Sequence, residues 1–126
     1  ALDLLPTLFS LAGDPVPTDC IIDGMDLGPV LMGTGPSPRD YFIYYDGERV
    51  FAARKGPYKA HFRTREEYGG EETEHDPPIL YHLGWDTSEQ FDIAQQHPEV
   101  IEEIRALVEA HLRTLEPVEN QLEKGF

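Results

Sequence analysis

Tyr41-Phe42-Ile43-Tyr44-Tyr45-Asp46-Gly47-Glu48-Arg49-Val50-Phe51-Ala52-Ala53-Arg54-Lys55-Gly56-Pro57-Tyr58-Lys59-Ala60-His61-Phe62-Arg63 is the stretch that decides the fold. Residues 41–45 are aromatic and β-branched, which suits a pleated, half-buried strand. Asp46-Gly47 is a hairpin signal, because glycine supplies the positive φ that tight turns need. Arg49 to Arg54 reads as the second strand, Lys55-Gly56-Pro57 as another turn, and Tyr58 to Arg63 as the third strand. In that third strand Tyr58, Ala60 and Phe62 alternate with Lys59, His61 and Arg63. A period of two with this chemistry predicts an antiparallel meander with one buried and one polar face.

Working downstream, Pro77-Pro78-Ile79-Leu80-Tyr81-His82-Leu83 reads as a fourth strand, its prolines confined to the start. The acid-rich segment 64–76 between strands three and four reads as a solvated loop, and its spacing matches no EF-hand. Gly84 to Gln90 is a turn. Pro98 suits a first helical position, with Glu99, Glu102 and Glu103 near the positive end of the dipole. Ile101, Ile104, Leu107, Val108, His111 and Leu115 then mark one helical face.

Working upstream, Leu5, Leu8, Phe9 and Ala12 share a face of a helix over Leu2 to Ala12, with Pro6 in its first turn and Gly13 as its stop. Residues 13–40 are rich in proline, glycine and aspartate. Ile21 to Leu27 is expected to be extended with a turn at Asp23-Gly24, and Pro29 to Gly33 to form a helical turn. The predicted fold is α+β. It has a four-stranded antiparallel sheet with a C-terminal helix packed on one face, plus an N-terminal helix and loop-rich segment. Two parts follow, 1–40 and 41–126.

The chain has 126 residues and a formal charge of −14, with 24 acidic against 10 basic side chains. Phosphate binding needs clustered Lys and Arg, so this balance argues against nucleic acid and against an anionic membrane surface. No apolar run approaches the ~20 residues of a membrane span. Cys20 is the single cysteine, which excludes an internal disulfide. Its acidic flanks, Asp19 and Asp23, disfavour a thiolate, and a buried structural role is expected. The start, Ala1 to Pro6, has neither an initiator Met nor a basic leader, which reads as a chain cut from a longer one.

Lys59, His61 and Arg63 form the basic face of strand three and are candidates for contact with an anionic substrate, as is His75 in the acidic segment. The competing reading is a solvated strand face. His82 is expected on a strand face, His97 at a helix cap and His111 at a core edge. The five histidines are scattered, with no H-x-x-H and no cysteine partner, so no metal ligands are assigned. Ser10 and Ser37 lack a G-x-S-x-G elbow.

Several segments in order resemble the C-terminal region of the sulfatase family. Leu2-Asp3-Leu4-Leu5-Pro6-Thr7-Leu8 is similar to the segment leading out of that family's large domain. Asp23-Gly24-Met25-Asp26-Leu27 with Pro29-Val30-Leu31 resembles its DG-x-DL-x-P-x-L stretch. Arg54 to Phe62 resembles its R-x-G-x-[YW]-K hairpin, and Pro78 to Leu83 with Asp86 and Glu89 resembles P-L-L-Y-x-L…D-P-x-E-x-x-N-L. Thr87-Ser88 replaces the usual Pro-Gly, Asp92-Ile93 falls at the usual Asn-Leu, and the tail from Pro117 to Phe126 resembles the family only loosely.

The resemblance implies a piece of a sulfuric ester hydrolase whose partner is an N-terminal catalytic domain of the same parent chain. It also implies a sulfate ester substrate, calcium and a formylglycine in that domain, and an exported or lysosomal setting. The formylglycine would come from a C/S-x-P-S-R motif. Cys20 is followed by Ile-Ile-Asp, and Pro36-Ser37 by Pro38-Arg39, so no catalytic residue carries over. The expected role is support of the fold and of part of the substrate cleft, without activity alone. This requires exposed apolar surface on the opening helix. The alternative is a stand-alone binding module for sulfated or other carbohydrate, with Tyr41, Tyr44, Tyr45 and Trp85 supplying aromatics.

Overall fold

In a computed structural model, residues 2–67 and 69–115 are described; Tyr68 in the acidic segment and the tail Pro117 to Phe126 lie outside them. Residues 1–40 and 41–126 form two separate units.

In the first unit, α1 spans Leu4–Ala12 and α2 spans Gly28–Leu31. Gly13 ends α1 at φ 79°, a conformation that costs glycine little. Between the helices the chain has no regular structure, and polar stitches hold it. The backbone N–H of Met25 donates to Asp3 Oδ1 at 2.8 Å, and that of Leu27 donates to Thr7 Oγ1 at 2.9 Å. The Asp3 carboxylate also takes the Arg39 guanidinium, whose Nη2 reaches on to the Asp23 carbonyl at 3.0 Å. The Arg39 hydrogen bond, helped by the Met25 N–H, holds the Asp3 carboxyl below its ordinary range. Gly24 passes so close to Leu2 that a Cβ there would lie 2.2 Å from the Leu2 carbonyl oxygen. Leu4, Leu5, Leu8 and Leu11 stay exposed along α1. Cys20 is exposed as well, which corrects the expectation of a buried thiol: it lies in the irregular segment, away from any apolar core.

The second unit is a sheet of β1 (Tyr41–Asp46), β2 (Arg49–Lys55), β3 (Tyr58–Arg65) and β4 (Glu72–His82), in that spatial order and antiparallel throughout. The two short hairpins turn at Gly47-Glu48 and Gly56-Pro57, each with glycine at positive φ in the first turn position. Pro57 cannot follow with positive φ, so the second of these is of the II′ kind.

The structure departs from the sequence expectation in the acidic segment. It is mostly strand: residues 64–65 belong to β3 and 72–76 to β4, and of its described residues only 66, 67 and 69–71 lie outside the strands. Cross-strand charge explains this: Arg63 faces Glu74 and Arg65 faces Glu72, and both pairs are bonded. Acidic residues that look solvated in isolation therefore match basic residues on β3. The prolines consequently sit inside β4, where the register breaks between His61/Ile79 and Arg63/Glu74. A missing N–H is tolerated at such an irregularity.

After β4 come a 3-10 turn at Ala94–Gln96 and α3 at Pro98–Leu112. Pro98 takes a first-turn position, while His97 stands at the N-cap without a side-chain capping bond. Ala53, Ala60 and Leu80 line the middle of one sheet face, and Ile93, Ala94, Ile101, Ile104 and Val108 close over them. The two alanines pair directly across β2 and β3, and their small side chains let the helix lie close to the sheet. The prediction from this packing is that Ile104→Ala lowers unfolding free energy by about 2–5 kcal/mol. Arg105→Ala, which removes only a surface pair with Asp76, should cost about 1 kcal/mol or less. Urea unfolding of the two variants checks this, and equal losses would contradict the placement of the core.

Candidate functional site

The sheet's other face carries Tyr44, Ala52, Arg54, Lys59, His61, Ile79 and Tyr81, placed together by the register. It is not an openly solvated face. The Lys59 and His61 side chains are only 17% and 19% exposed. The residue that covers them is Glu89, from the loop after β4. Its Oε1 accepts from Lys59 Nζ at 2.6 Å and its Oε2 pairs with His61 Nε2 at 2.6 Å.

The loop that delivers Glu89 is built around two aspartates. Asp86 is 5% exposed, and its carboxylate accepts the backbone N–H of Gln90 and of Phe91, each at 2.9 Å. Asp92 Oδ1 accepts from Leu80 N at 3.0 Å and Ala94 N at 2.9 Å, while Ile93 N donates to the Leu80 carbonyl. The edge of β4 is thus partly satisfied by this loop. Glu89 itself sits at φ 53°, the one non-glycine residue at positive φ among the described residues. A carboxylate residue in that region costs about 1–2 kcal/mol, and the surrounding bonds hold it there.

Electrostatics follow the geometry. Burial pushes the His61 imidazole below its ordinary 6.5; the Glu89 bond works the other way, and nearby Lys59 and His75 reinforce the depression. Burial alone would raise the Glu89 carboxyl, but the Lys59 and His61 hydrogen bonds overcome it and leave it below 4.5. The group near neutral pH is therefore an ammonium, a carboxylate and a neutral imidazole.

Lys59 and His61 line one open cavity of ≈ 510 Å³ together with Tyr44, Phe51, Arg63 and Arg65. The other candidates are nearby and already engaged. Arg63 pairs with Glu74 at 3.0 Å, and His75 Nε2 shares a hydrogen bond with Thr64 Oγ1 at 2.8 Å. Arg65, which the sequence did not single out, bonds Asp46 and Glu72 and lies 5.3 Å from the Phe51 ring. Lys59 Nζ is 5.0 Å from the Tyr44 ring centroid.

Three other histidines lie elsewhere. His82 stacks on Trp85 at 5.2 Å and meets Tyr58 edge-on at 4.9 Å. His97 lies 5.8 Å from the Tyr58 ring, and His111 lies 6.1 Å from Tyr45. Glu89 was visible in the sequence only as part of the D-x-x-E spacing after β4. Among the described residues no group of three or more His, Cys, Asp or Glu is placed to hold a metal ion, and no helix is long and apolar enough to cross a membrane.

Residues 37–126 match the family described as the C-terminal region of aryl-sulfatase. The chain is 39% identical to human arylsulfatase A over 128 residues, covering 85% of this chain and 25% of that protein. It is 34% identical to the dog N-acetylgalactosamine-6-sulfatase, covering 96% of this chain and 28% of that one. A solved structure from Bacteroides thetaiotaomicron, described under the metabolism of multiple glycosaminoglycans, is 29% identical with a TM-score of 0.68, over 86% of this chain and 24% of that one. A Pseudoalteromonas sulfatase shares the fold at a TM-score of 0.77 and 22% identity, over 89% of this chain and 25% of that one. The chain spans about a quarter of the length of the curated relatives it matches.

Two predictions follow from the loop and its charges. Asp86→Ala should destabilise by about 1–3 kcal/mol, because the Gln90 and Phe91 N–H groups lose a charged acceptor. In the pH dependence, both His61 and Glu89 bind protons more weakly folded than unfolded, so both favour the native state at higher pH. The His61 contribution is full above 6.5 and is lost as pH falls through its depressed folded value. The Glu89 contribution is full above 4.5 and is lost below that in the same way. Denaturant midpoints should therefore fall with pH from 7 downward, and less steeply below 4.5 in Glu89→Gln. An identical profile for the variant would contradict the clamp.

Proposed function

The chain belongs to the sulfatase family as its C-terminal region, and from that premise we propose that it supports the fold and part of the substrate cleft of an arylsulfatase-type sulfuric ester hydrolase, with no activity alone. The observation that carries this reading is the wall on the sheet's second face. Lys59, Glu89 and His61 are locked together at the rim of an open cavity, on the face that α3 leaves free. Fixed geometry of this kind is what a cleft wall needs, since positioning is lost when supporting side chains move.

The chemistry would come from elsewhere in the parent. The chain contains no C/S-x-P-S-R motif, so no formylglycine can form in it. Its described residues do not fit a calcium site either. We assign both groups to the parent's catalytic domain. The exposed leucines of α1 supply an apolar surface of the type such a domain would cover. An exported or lysosomal setting, typical of the family, accompanies the reading.

Hydrolysis of 4-methylumbelliferyl sulfate tests it. The 126-residue chain alone is expected to release no fluorophore. The polypeptide encoded together with the sequence upstream of Ala1 is expected to do so, with KM raised several-fold by Lys59→Ala. Turnover by the chain alone, or an upstream sequence without C/S-x-P-S-R, would overturn the proposal. Saturable binding of a sulfated sugar by the chain alone, without an upstream catalytic sequence, would favour the carbohydrate-binding module.

A further inference from the structure

We propose that Arg54 is a docking contact for the parent's catalytic domain, its guanidinium taking a carboxylate that the domain presents. The proposal rests on the reading of the chain as the C-terminal region of a longer sulfatase, and it names a contact that joins the two parts.

Arg54 is the exception in the chain's charge pairing. Each of the other described lysines and arginines has a carboxylate partner. Arg54 has none among the described residues, although the chain holds 24 acidic side chains against 10 basic ones. Its side chain is half-buried, and its Nε is enclosed with no hydrogen-bond acceptor. A cation drawn from water without a partner is costly, and an enclosed N–H without an acceptor adds to that cost.

The fold offers no spare carboxylate at this place. The register sets Arg54 between Phe42 of β1 and Lys59 of β3, with Tyr81 of β4 beyond. Glu89 reaches this face, but Lys59 takes one of its oxygens and His61 the other. Glu103 of α3 is taken by Lys55. The missing acceptor therefore comes from outside the described residues.

Place and charge indicate its source. The open cavity is lined by Tyr44, Lys59 and His61 but not by Arg54, which sets the guanidinium apart from a ligand held there. The planar fork of a guanidinium matches a carboxylate through two parallel hydrogen bonds. A second copy would bring its own charge of −14, and two such bodies repel. A domain of the same polypeptide is instead held at high effective concentration and needs no second association step.

Carbodiimide coupling tests the contact in the polypeptide encoded together with the sequence upstream of Ala1. Carbodiimide joins an amine to a carboxylate beside it, so Arg54→Lys converts the contact into an amide that mass spectrometry locates. Lys59 with Glu89 at 2.6 Å and Lys55 with Glu103 at 2.8 Å are built-in controls, and their coupling shows that the variant is folded. The expected product joins position 54 to an Asp or Glu upstream of Ala1 within one chain. With both controls coupled, no product at position 54, a product with an acid of residues 1–126, or a product between two chains in an isotope-mixed sample overturns the proposal. A free anion on Arg54 gives the first of these. A second measurement needs no variant: phenylglyoxal should modify Arg113, 78% exposed, and spare Arg54 in the folded polypeptide. Modification of both at one rate overturns the proposal as well. Hydrolysis of 4-methylumbelliferyl sulfate is followed with the unsubstituted polypeptide. Turnover without an upstream product overturns this proposal and leaves the sulfatase reading standing. An upstream product without turnover supports the docking contact and removes the sulfatase reading.

Discussion

The buried carboxylate of Asp86 is the constraint on which the second unit's polar face depends. It sits 5% exposed and takes the N–H groups of Gln90 and Phe91, which fixes the course of the loop after β4. With that course fixed, Glu89 is carried to Lys59 and His61, and Ile93 is carried to the edge of β4 and into the core beneath α3. A single loop therefore serves both faces of the sheet. Its apolar end closes the core, and its charged end orders the wall. An isolated surface ion pair contributes little, but here the partners are mostly buried and share one acceptor. Losing Glu89 would leave an ammonium with desolvated surroundings, which is the expensive half of such an arrangement.

The α+β architecture is legible in the sequence because its signals are local. Alternation in Tyr58 to Arg63 gives the two faces, glycines at 47 and 56 give the turns, and the Ile101/Ile104/Val108 spacing gives the helix face. The sheet's length is not local. Whether 72–76 is loop or strand depends on Arg63 and Arg65 standing opposite Glu74 and Glu72, which no window over either segment reveals. Composition alone favoured solvent, and pairing across strands outweighed it. The exposed Cys20 has a similar origin. The acidic flanks Asp19 and Asp23 disfavour a thiolate but do not supply burial, and the segment's end is held by hydrogen bonds from Met25 to Asp3 and from Leu27 to Thr7 rather than by a core.

The candidate site was half legible. Strand periodicity put Lys59, His61 and Arg63 on one face, and the structure shows Lys59 and His61 meeting at one carboxylate while Arg63 turns to Glu74. Glu89 could not be read from periodicity, because its position depends on a loop whose shape is set by Asp86 and Asp92 at positions where backbone N–H groups need acceptors. The D-x-x-E spacing marked that loop without saying where its carboxylate goes.

The pairing also changes what a basic strand face means. From the sequence, three cationic or partly cationic residues on alternate positions suggest an anion site. In the structure the ammonium and the guanidinium groups are matched by carboxylates drawn from β1, β4 and the following loop. A chain with a net charge of −14 has acids to spare, and its folding brings them to its bases. The face that results is ordered rather than strongly cationic. On the proposed cleft-wall reading, a face matched in this way contributes fixed shape rather than positive charge.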